Sequence, residues 1–260
     1  METYFPPKAF NTRKQRKHGK RRHRLALLLS FISLFSVQWL FSANSNAATL
    51  QPYRAVYTTR YKGMSAEAVQ TLTSNATGQF TLKRDVDSVF VKLYEQSEFQ
   101  LQNNQLIVSR YTYKRGGLAS KKDIEQLFQW DKGNLHITEK GKSRDVAIKS
   151  PLFDKLSYTE AMRLQLLSAG QLPKGISVPF ADRHHLKQYD FVVGDQEDIA
   201  TPKGKMRAVK LERNVPEDNK HAVIWVAPDL DYLLVKLQQT DDGESYELNL
   251  KSYEVTKPQP

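Results

Sequence analysis

The sequence predicts a mostly β protein: a single antiparallel, strongly bent sheet, half-open or closed like a barrel, with one amphipathic helix inserted mid-chain. Two observations indicate this class. Short segments rich in Val, Thr, Tyr, Phe and Leu alternate with polar residues, and Gly, Asn, Asp or Pro interrupt them roughly every ten residues. One further segment has the pattern of a helix with its own start and stop.

Five segments show the strand pattern most clearly. In the last of them, Tyr246, Leu248 and Leu250 share one face and polar residues occupy the other. A sheet with one solvent-exposed face is typically antiparallel, so we expect a curved sheet, sandwich or barrel. The five segments are Tyr53–Tyr61, Val89–Leu101, Leu106–Lys114, Asp123–Trp130 and Tyr246–Val255.

Turn residues separate these strands. They supply backbone conformations with positive φ, or a preset φ at proline, which tight hairpins require. The predicted hairpin turns are Asn103-Asn104, Gly116-Gly117, residues 131–134 (DKGN), Pro202-Lys203-Gly204 and Asp241-Asp242-Gly243.

One helix is predicted between the two halves of the sheet. Residues 157–160 (SYTE) form a capping-box sequence, and Gly170 supplies a stop. Tyr158, Met162 and Leu166 recur every fourth residue and therefore share one face, which should pack on the sheet. Two roles are open for this helix, a fixed structural plug and a mobile lid.

Residues 1–47 are predicted to be a signal peptide with a long basic n-region. A run of 17 uncharged residues, Leu25–Phe41, precedes Ser45 and Ala47, which are small residues suited to cleavage between Ala47 and Ala48. Residues 48–260 would then be a single β-rich domain in the periplasm. The alternative is an uncleaved N-terminal membrane anchor, since 17 residues is near the shortest spanning length.

The net charge of +11 comes mainly from this N-terminal segment. It holds nine Lys and Arg and one acid, and the rest of the chain has 30 basic and 27 acidic residues, a net charge of +3. A basic cluster directly before an apolar run is typical of export, so we predict no nucleic-acid partner. Basic residues around Gly116-Gly117 form either a solvated hairpin tip or a transient contact with a membrane or an envelope partner.

The composition excludes several kinds of chemistry. The chain has no cysteine, which excludes disulfides, thiolate metal ligands, a thiol nucleophile and a lipid-modified cysteine. It also lacks the motifs of nucleophile elbows, Walker loops, dinucleotide sites and zinc proteases. We therefore predict no catalytic residues, no cofactor and no metal.

Two clusters of polar residues are candidates for a metal site or a catalytic site. Asp182, His184 and His185 could suggest a metal site, but adjacent residues on an extended strand point to opposite faces, which favours a solvated loop. Asp123 and Glu125 would share a strand face, as an acid/base pair requires. Abundant lysine nearby favours an exposed charged face instead.

Tyrosines provide the better candidate site. At these spacings the rings of each strand share a face, so they could line the concave side of a bent sheet and contact a ligand together with the helix. The alternative is aromatic packing across strands in a filled core. The candidate ligand-binding residues are Tyr53, Tyr57, Tyr61, Tyr111, Tyr113, Met162 and Leu166.

Several stretches of the chain together resemble one known protein family. Those stretches are Pro52-Tyr53 through Gly63, Phe128-x-Trp130, residues 154–157 with the helix ending at Gly170, Thr201-Pro202-x-Gly204, and residues 224–229 with 232–236. Over residues 50–255 the chain resembles the secreted bacterial family called domain of unknown function 3108 (DUF3108), which implies no established activity and no catalytic residues.

A second resemblance covers about residues 205–255. The pattern Trp225-x3-Asp229-x2-Tyr232, with Asp242-Gly243-x2-Tyr246, is similar to the last strands of the periplasmic lipoprotein carriers LolA and LolB and of the RseB sensor domain. This resemblance implies an unclosed barrel with a helical lid over an apolar cavity that receives acyl chains.

Two classes of function remain. The first is a non-enzymatic envelope protein that binds a lipid, an acyl chain or an envelope partner through the concave face. The second is an envelope hydrolase or transferase whose site is assembled from scattered residues. Binding is preferred because catalysis needs convergent groups, which the sequence does not concentrate. A structural or scaffold protein with a filled core is a further alternative.

Overall fold

The computed structural model describes residues 48–61, 64–88, 91–117, 121–202, 204–215, 220–241 and 244–257. Within these ranges the chain forms fifteen strands and one α-helix. Their bounds are β1 (Tyr53–Tyr61), β2 (Met64–Ser74), β3 (Gln79–Asp87), β4 (Val91–Gln102), β5 (Gln105–Gly117), β6 (Lys122–Gln129), β7 (Asn134–Glu139), β8 (Lys142–Ala147), β9 (Phe153–Asp154), α1 (Tyr158–Ser168), β10 (Gly175–Asp182), β11 (His185–Thr201), β12 (Gly204–Val215), β13 (Lys220–Ala227), β14 (Leu233–Asp241) and β15 (Glu244–Val255).

All of these strands belong to one sheet. Its order is β8-β7-β6-β5-β4-β3-β2-β1-β15-β14-β13-β12-β11-β10-β9, so the first and last strands pair at the centre. Neighbouring strands are antiparallel, apart from the parallel pair of β9 and β10. The sheet is not closed into a barrel, because β8 and β9 remain as its edges. The predicted fold class is confirmed, and the helix lies between the two halves as expected.

The sheet bends strongly enough that distant parts of it touch. Register shifts typical of β-bulges follow Val56, Glu98 and Trp225, and a bulge bends its strand and increases its twist. Gln126 of β6 reaches the turn between β10 and β11, where its Nε2 donates a hydrogen bond to the carbonyl of Arg183 at 2.8 Å. One half of the sheet therefore closes over the other.

The core lies on the concave side of this bend. Alternate residues point inward, as Tyr53, Ala55 and Tyr57 do in β1, where each is at most 2% exposed. The largest fully buried side chains are Tyr53, Tyr57, Phe99, Phe180, Leu50, Leu72, Leu82, Leu135, Ile137, Leu156, Met162 and Leu166.

Helix α1 occupies the predicted position, but its first turn differs from the predicted capping box. Met162 and Leu166 are buried, as the apolar stripe indicates, and Glu160 and Arg163 are buried as well. No side-chain hydrogen bond caps the helix at Ser157. The Ser157 hydroxyl instead donates to Asp154, and Glu160 accepts a hydrogen bond from Tyr53. The two capping-box side chains therefore bond to residues outside the helix instead of to its first turn.

Two of the predicted turns, Asn103-Asn104 and residues 131–134, are confirmed, but Gly116-Gly117 is not a turn, because β5 continues through both glycines and pairs them with Lys92 and Val91 of β4. Asn103 and Asn104 both have positive φ, 51° and 59°, and join β4 to β5. Gly133 has a φ of 60° and ends a short 3₁₀ turn, Trp130–Lys132, before β7. Residues 203 and 242–243, which belong to the two other predicted turns, lie outside the described ranges.

The predicted signal peptide and the residue preceding its cleavage site, Ala47, also lie outside the described residues, which begin at Ala48. In the part of the chain that is described, no helix has the length and apolar character needed to cross a membrane.

Candidate functional site

Helix α1 and the concave face of the sheet enclose a cavity of about 310 Å³, here called the helix cavity. This volume is at the lower end of the range of roughly 300–1,000 Å³ found for small-molecule sites. Residues from both halves of the sheet and from the helix contribute to its lining, among them Tyr57, Arg84, Glu95, Met162, Ile224 and Leu237.

One wall of the helix cavity is apolar. Ile224 and Val226 of β13 lie beside Leu234 and Leu237 of β14, and Met162 of the helix adds a flexible side chain. Strand β13 is buried from residue 222 to residue 227, so both of its faces are covered. This rigid wall suits a hydrocarbon surface better than a polar one.

A second wall is built from polar side chains of β1 to β5. The Tyr53 hydroxyl accepts a hydrogen bond from Gln70 Nε2 at 2.6 Å. Gln70 Oε1 accepts from Arg84 Nε and Nη2 at 3.0 and 2.7 Å. Arg84 Nη1 lies 3.5 Å from Glu95 Oε2, and Tyr111 donates to Glu95 Oε1 at 2.7 Å. These bonds satisfy polar groups whose burial would otherwise be costly.

This polar chain ends on the helix. The Tyr53 hydroxyl donates to Glu160 Oε1 at 2.6 Å, and Arg163 Nη1 donates to Glu160 Oε2 at 3.2 Å. Arg163 Nε donates to the carbonyl of Asp231 at 2.7 Å, and its guanidinium lies 5.1 Å from the centre of the Tyr53 ring. The helix is thus joined by hydrogen bonds to β1 and to the turn before β14.

The protonation states of this network follow from burial and charge. Burial, followed by the charge of Glu160, raises the pKa of Tyr53 well above its usual value, and burial and Glu95 do the same for Tyr111. Both hydroxyls therefore remain donors at neutral pH. Burial lowers the pKa of Arg163, but the opposing effect of Glu160 and Tyr53 is larger, so the pKa is raised overall. The helix cavity accordingly pairs each arginine with one carboxylate.

A separate buried carboxylate positions the start of the helix. Asp154 Oδ1 accepts hydrogen bonds from the backbone N–H groups of Leu156 and Ser157, both at 2.8 Å. Its Oδ2 accepts from the hydroxyls of Ser97 at 2.5 Å and Ser157 at 2.8 Å. Burial raises the pKa of Asp154 to about 6, although these hydrogen bonds oppose the shift.

A second cavity of about 360 Å³ adjoins the first and is here called the basic cavity. Tyr113 and Lys155 line both cavities. Exposed His185 and half-exposed Lys155 place it at the solvent boundary. The other residues that line it are Tyr111, Lys122, Ile124, Asp182 and Arg183.

The described residues do not form a metal site. In those ranges, no three His, Asp or Glu side chains converge so that they could hold a metal ion. His184 and His185 do not lie on one continuous extended strand, because Arg183, with a φ of 58°, and His184 form a turn, and His185 is exposed, as the solvated-loop interpretation expects. The two imidazole rings lie side by side, with their centres 4.0 Å apart.

A family model tests the resemblance to DUF3108 that the sequence indicated. A model of the family described as "Protein of unknown function (DUF3108)" matches residues 72–251. The chain belongs to this family. The resemblance noted over residues 50–255 is thereby confirmed for the larger part of its length.

One solved structure supports the fold of this DUF3108 protein. A β-barrel-like protein of the DUF1849 domain from Brucella abortus is 14% identical, has a TM-score of 0.54, and covers 81% of this chain and 100% of its own. A candidate lipoprotein from Parabacteroides distasonis is 13% identical, with a TM-score of 0.31 and coverage of 79% and 96%. At these identities the likeness concerns the fold only. No curated protein matches the chain.

The structure divides the predicted site residues of the DUF3108 protein into three groups. Tyr57, Tyr113 and Met162 line the helix cavity, and Tyr57 also donates a hydrogen bond to the Leu234 carbonyl at 3.0 Å. Tyr53 and Tyr111 are 0% and 3% exposed and belong to the polar network. Leu166 is buried in the core, 1% exposed. The side chain of Tyr61 is not among those described.

Sequence reasoning missed the charged members of the site. Those on strands are detectable as polar residues at inward-facing positions. Gln70 stands between buried Ala68 and Leu72, and Arg84 follows Phe80 and Leu82 on the same face. In contrast, Asp123 and Glu125 form the exposed charged surface that was expected, with ion pairs to Lys121 and Arg110.

Proposed function

We propose that this protein is a non-enzymatic envelope protein that binds a lipid or acyl chain in the helix cavity. The observation that carries the proposal is the unfilled volume of about 310 Å³ beside buried apolar side chains. Protein cores contain few voids larger than one water molecule, so a cavity of this size beside the core suits a ligand. An apolar ligand would restore the missing packing contacts.

The charges around the helix cavity favour an apolar occupant for its interior. Arg84 is paired with Glu95, and Arg163 with Glu160. Because each pair is neutral, the remaining charge on the lining is that of Lys155, which lies where the helix cavity adjoins the basic cavity. An apolar ligand would disrupt few of these polar contacts. Its binding free energy would come mainly from apolar surface buried against Ile224, Leu234 and Leu237.

The geometry of the two carboxylates favours binding over catalysis. Glu95 accepts a hydrogen bond from Tyr111 and contacts Arg84. Glu160 accepts hydrogen bonds from Tyr53 and Arg163. A general base needs an accessible lone pair aimed at substrate, and these oxygens are already occupied by donors. Envelope location is proposed from the export signal expected in residues 1–47.

Native mass spectrometry of protein purified from its periplasm tests the proposal directly. We expect a retained mass of lipid size, which detergent-free refolding removes. The refolded protein should then bind N-phenylnaphthylamine, an uncharged apolar probe whose fluorescence rises on burial.

A matched pair of substitutions locates the site. Leu237→Trp places a larger side chain at the cavity wall and should weaken probe binding by about tenfold or more, since overfilling removes the volume that the probe needs. Val192→Trp makes the same kind of change at a residue that is 67% exposed and should leave binding unchanged. Ligand-free protein that takes up no probe would overturn the proposal and leave the scaffold alternative.

A further inference from the structure

Lys122 occupies an unusual position on β6. It shares the inward face of that strand with the buried residues Ile124, Gln126 and Phe128, and its side chain is 14% exposed. The preceding residue, Lys121, is 81% exposed. Lysine is rarely buried without a compensating partner, so an inward lysine at the mouth of a cavity requires a reason.

The neighbouring carboxylates only partly compensate Lys122. Glu139 lies 3.9 Å from Lys122 and also 3.9 Å from Arg183, so one carboxylate serves two cations. Asp182 is similarly shared between Lys155 at 3.5 Å and Lys187 at 2.7 Å. The lining of the basic cavity holds three fixed cations, Lys122, Lys155 and Arg183, and one carboxylate. Positive charge is in excess.

The electrostatic environment of Lys122 reflects this excess. Burial lowers its pKa, and repulsion from Arg183, Arg115 and Lys155 outweighs the attraction of Glu139. An anion in the basic cavity would relieve this repulsion. The helix cavity differs, because each of its arginines has its own carboxylate.

The two cavities are adjacent, because they share lining residues. Tyr113 and Lys155 line both, and the Lys122 ammonium lies 5.9 Å from the centre of the Tyr113 ring. An apolar volume therefore meets a cationic one within the length of one or two side chains. This arrangement matches a molecule with a hydrocarbon chain at one end and a negative charge at the other.

We propose that the basic cavity is a phosphate subsite, in which Lys122, Lys155 and Arg183 bind the phosphate group of an amphipathic ligand whose chain lies in the helix cavity. This inference rests on the proposed function. A phosphate monoester carries about −1.5 to −2 charges at neutral pH and offers several acceptor oxygens, which suits two ammonium groups and a guanidinium. The phosphate could belong to a lipid headgroup or be free in solution.

Isothermal titration calorimetry with three probes separates these sources. Dodecyl phosphate carries both chain and charge, dodecyl maltoside carries the same chain without charge, and inorganic phosphate carries the charge alone. All are used below the concentrations at which they form micelles. We expect dodecyl phosphate to bind about tenfold or more tightly than either of the others.

Single substitutions then test the named residues. Lys122→Gln should weaken dodecyl phosphate binding by about tenfold and leave dodecyl maltoside binding unchanged. Lys121→Gln removes the same charge from the adjacent exposed residue and should change neither. If Lys122→Gln does not fold, Arg183→Gln provides a second test, because its side chain is 46% exposed; it should also weaken dodecyl phosphate binding.

Each contrary outcome identifies which proposal fails. Equal binding of the two dodecyl compounds, unaffected by Lys122→Gln, would overturn the phosphate subsite and leave the apolar cavity intact. Inorganic phosphate binding as tightly as dodecyl phosphate would overturn the link between headgroup and chain. Failure of both dodecyl compounds to bind would refute the proposed function itself.

Discussion

The buried ion pair of Glu160 and Arg163 should be essential to the stability of this fold. Both side chains lie in helix α1 one turn apart, and they are 3% and 2% exposed. Glu160→Gln keeps an oxygen that can accept the Tyr53 hydrogen bond but removes the negative charge. The buried Arg163 guanidinium would then lose its nearest carboxylate and would keep the Asp231 carbonyl, a carboxylate oxygen of Asp231 at 3.7 Å and the Tyr53 ring.

Removing one partner of a buried pair costs about 3–5 kcal/mol, because the remaining charge stays desolvated. An exposed pair contributes about 0–1 kcal/mol. The chain offers a matched exposed pair in Arg54 and Glu254, whose atoms lie 3.8 Å apart and whose side chains are 45% and 63% exposed. Glu254→Gln makes the same chemical change and should lower stability by less than about 1 kcal/mol.

Urea unfolding followed by circular dichroism and tryptophan fluorescence measures both variants. The two signals should give coincident transitions if unfolding is two-state, and equal slopes would show that the substitutions changed stability alone. We expect the midpoint to fall strongly for Glu160→Gln and to move little for Glu254→Gln.

A double variant tests the physical reason for this difference. Glu160→Gln combined with Arg163→Met removes the second charge, so the loss of stability should be smaller than for Glu160→Gln alone. If Glu160→Gln and Glu254→Gln cost the same, or if the double variant is the least stable, the reasoning about a desolvated charge is refuted.

Three other predictions concern Asp154, Leu166 and the cleavage site. Burial raises the pKa of Asp154 from its ordinary value of 3.8 to about 6, so the folded state holds the proton more tightly; stability from this group is therefore greatest at low pH and falls as pH rises from about 4 to 6. Asp154→Asn should gain up to about 3 kcal/mol relative to the parent between pH 4 and pH 7 in urea titrations, and a constant difference would contradict the shifted pKa. Leu166→Ala should cost about 2–5 kcal/mol if the helix is a fixed plug, with amides of residues 158–168 exchanging as slowly as those of β15; faster exchange that slows on adding lipid would favour a lid. Edman sequencing of the exported protein should begin at or near Ala48, and a chain that retains the apolar run would indicate an anchor.

Local sequence signals were enough to predict the helix and five of the fifteen described strands. Strand β1 has the bounds that its alternation indicated, Tyr53–Tyr61, and helix α1 starts at the predicted residue, Tyr158. These signals succeed because side-chain direction repeats every two residues in a strand, and because a helix start depends on a few adjacent residues. The strong bend and the open edges depend on how the strands pair with one another, and the sequence of a single segment does not specify that pairing.

The polar network could not be predicted in the same way. Tyr53 and Glu160 are 107 positions apart in the sequence, and their hydrogen bond depends on where the helix packs. Glu160 instead fits a local capping role, which was the prediction. The sequence can mark inward polar residues as exceptions, as at Gln70 and Lys122, but pairing each with its partner requires the three-dimensional arrangement.

The anchoring of helix α1 constrains how a ligand reaches the helix cavity. Glu160 and Arg163 bind β1 and the turn before β14, and Asp154 joins the residues at the helix start to Ser97 of β4. Opening the helix as a lid would break these buried polar contacts together, at a cost of several kcal/mol. Entry by way of the basic cavity would leave them intact, since half-exposed Lys155 lines both cavities. We therefore expect a ligand to enter chain first past Lys155, so that its charged end comes to rest beside Lys122.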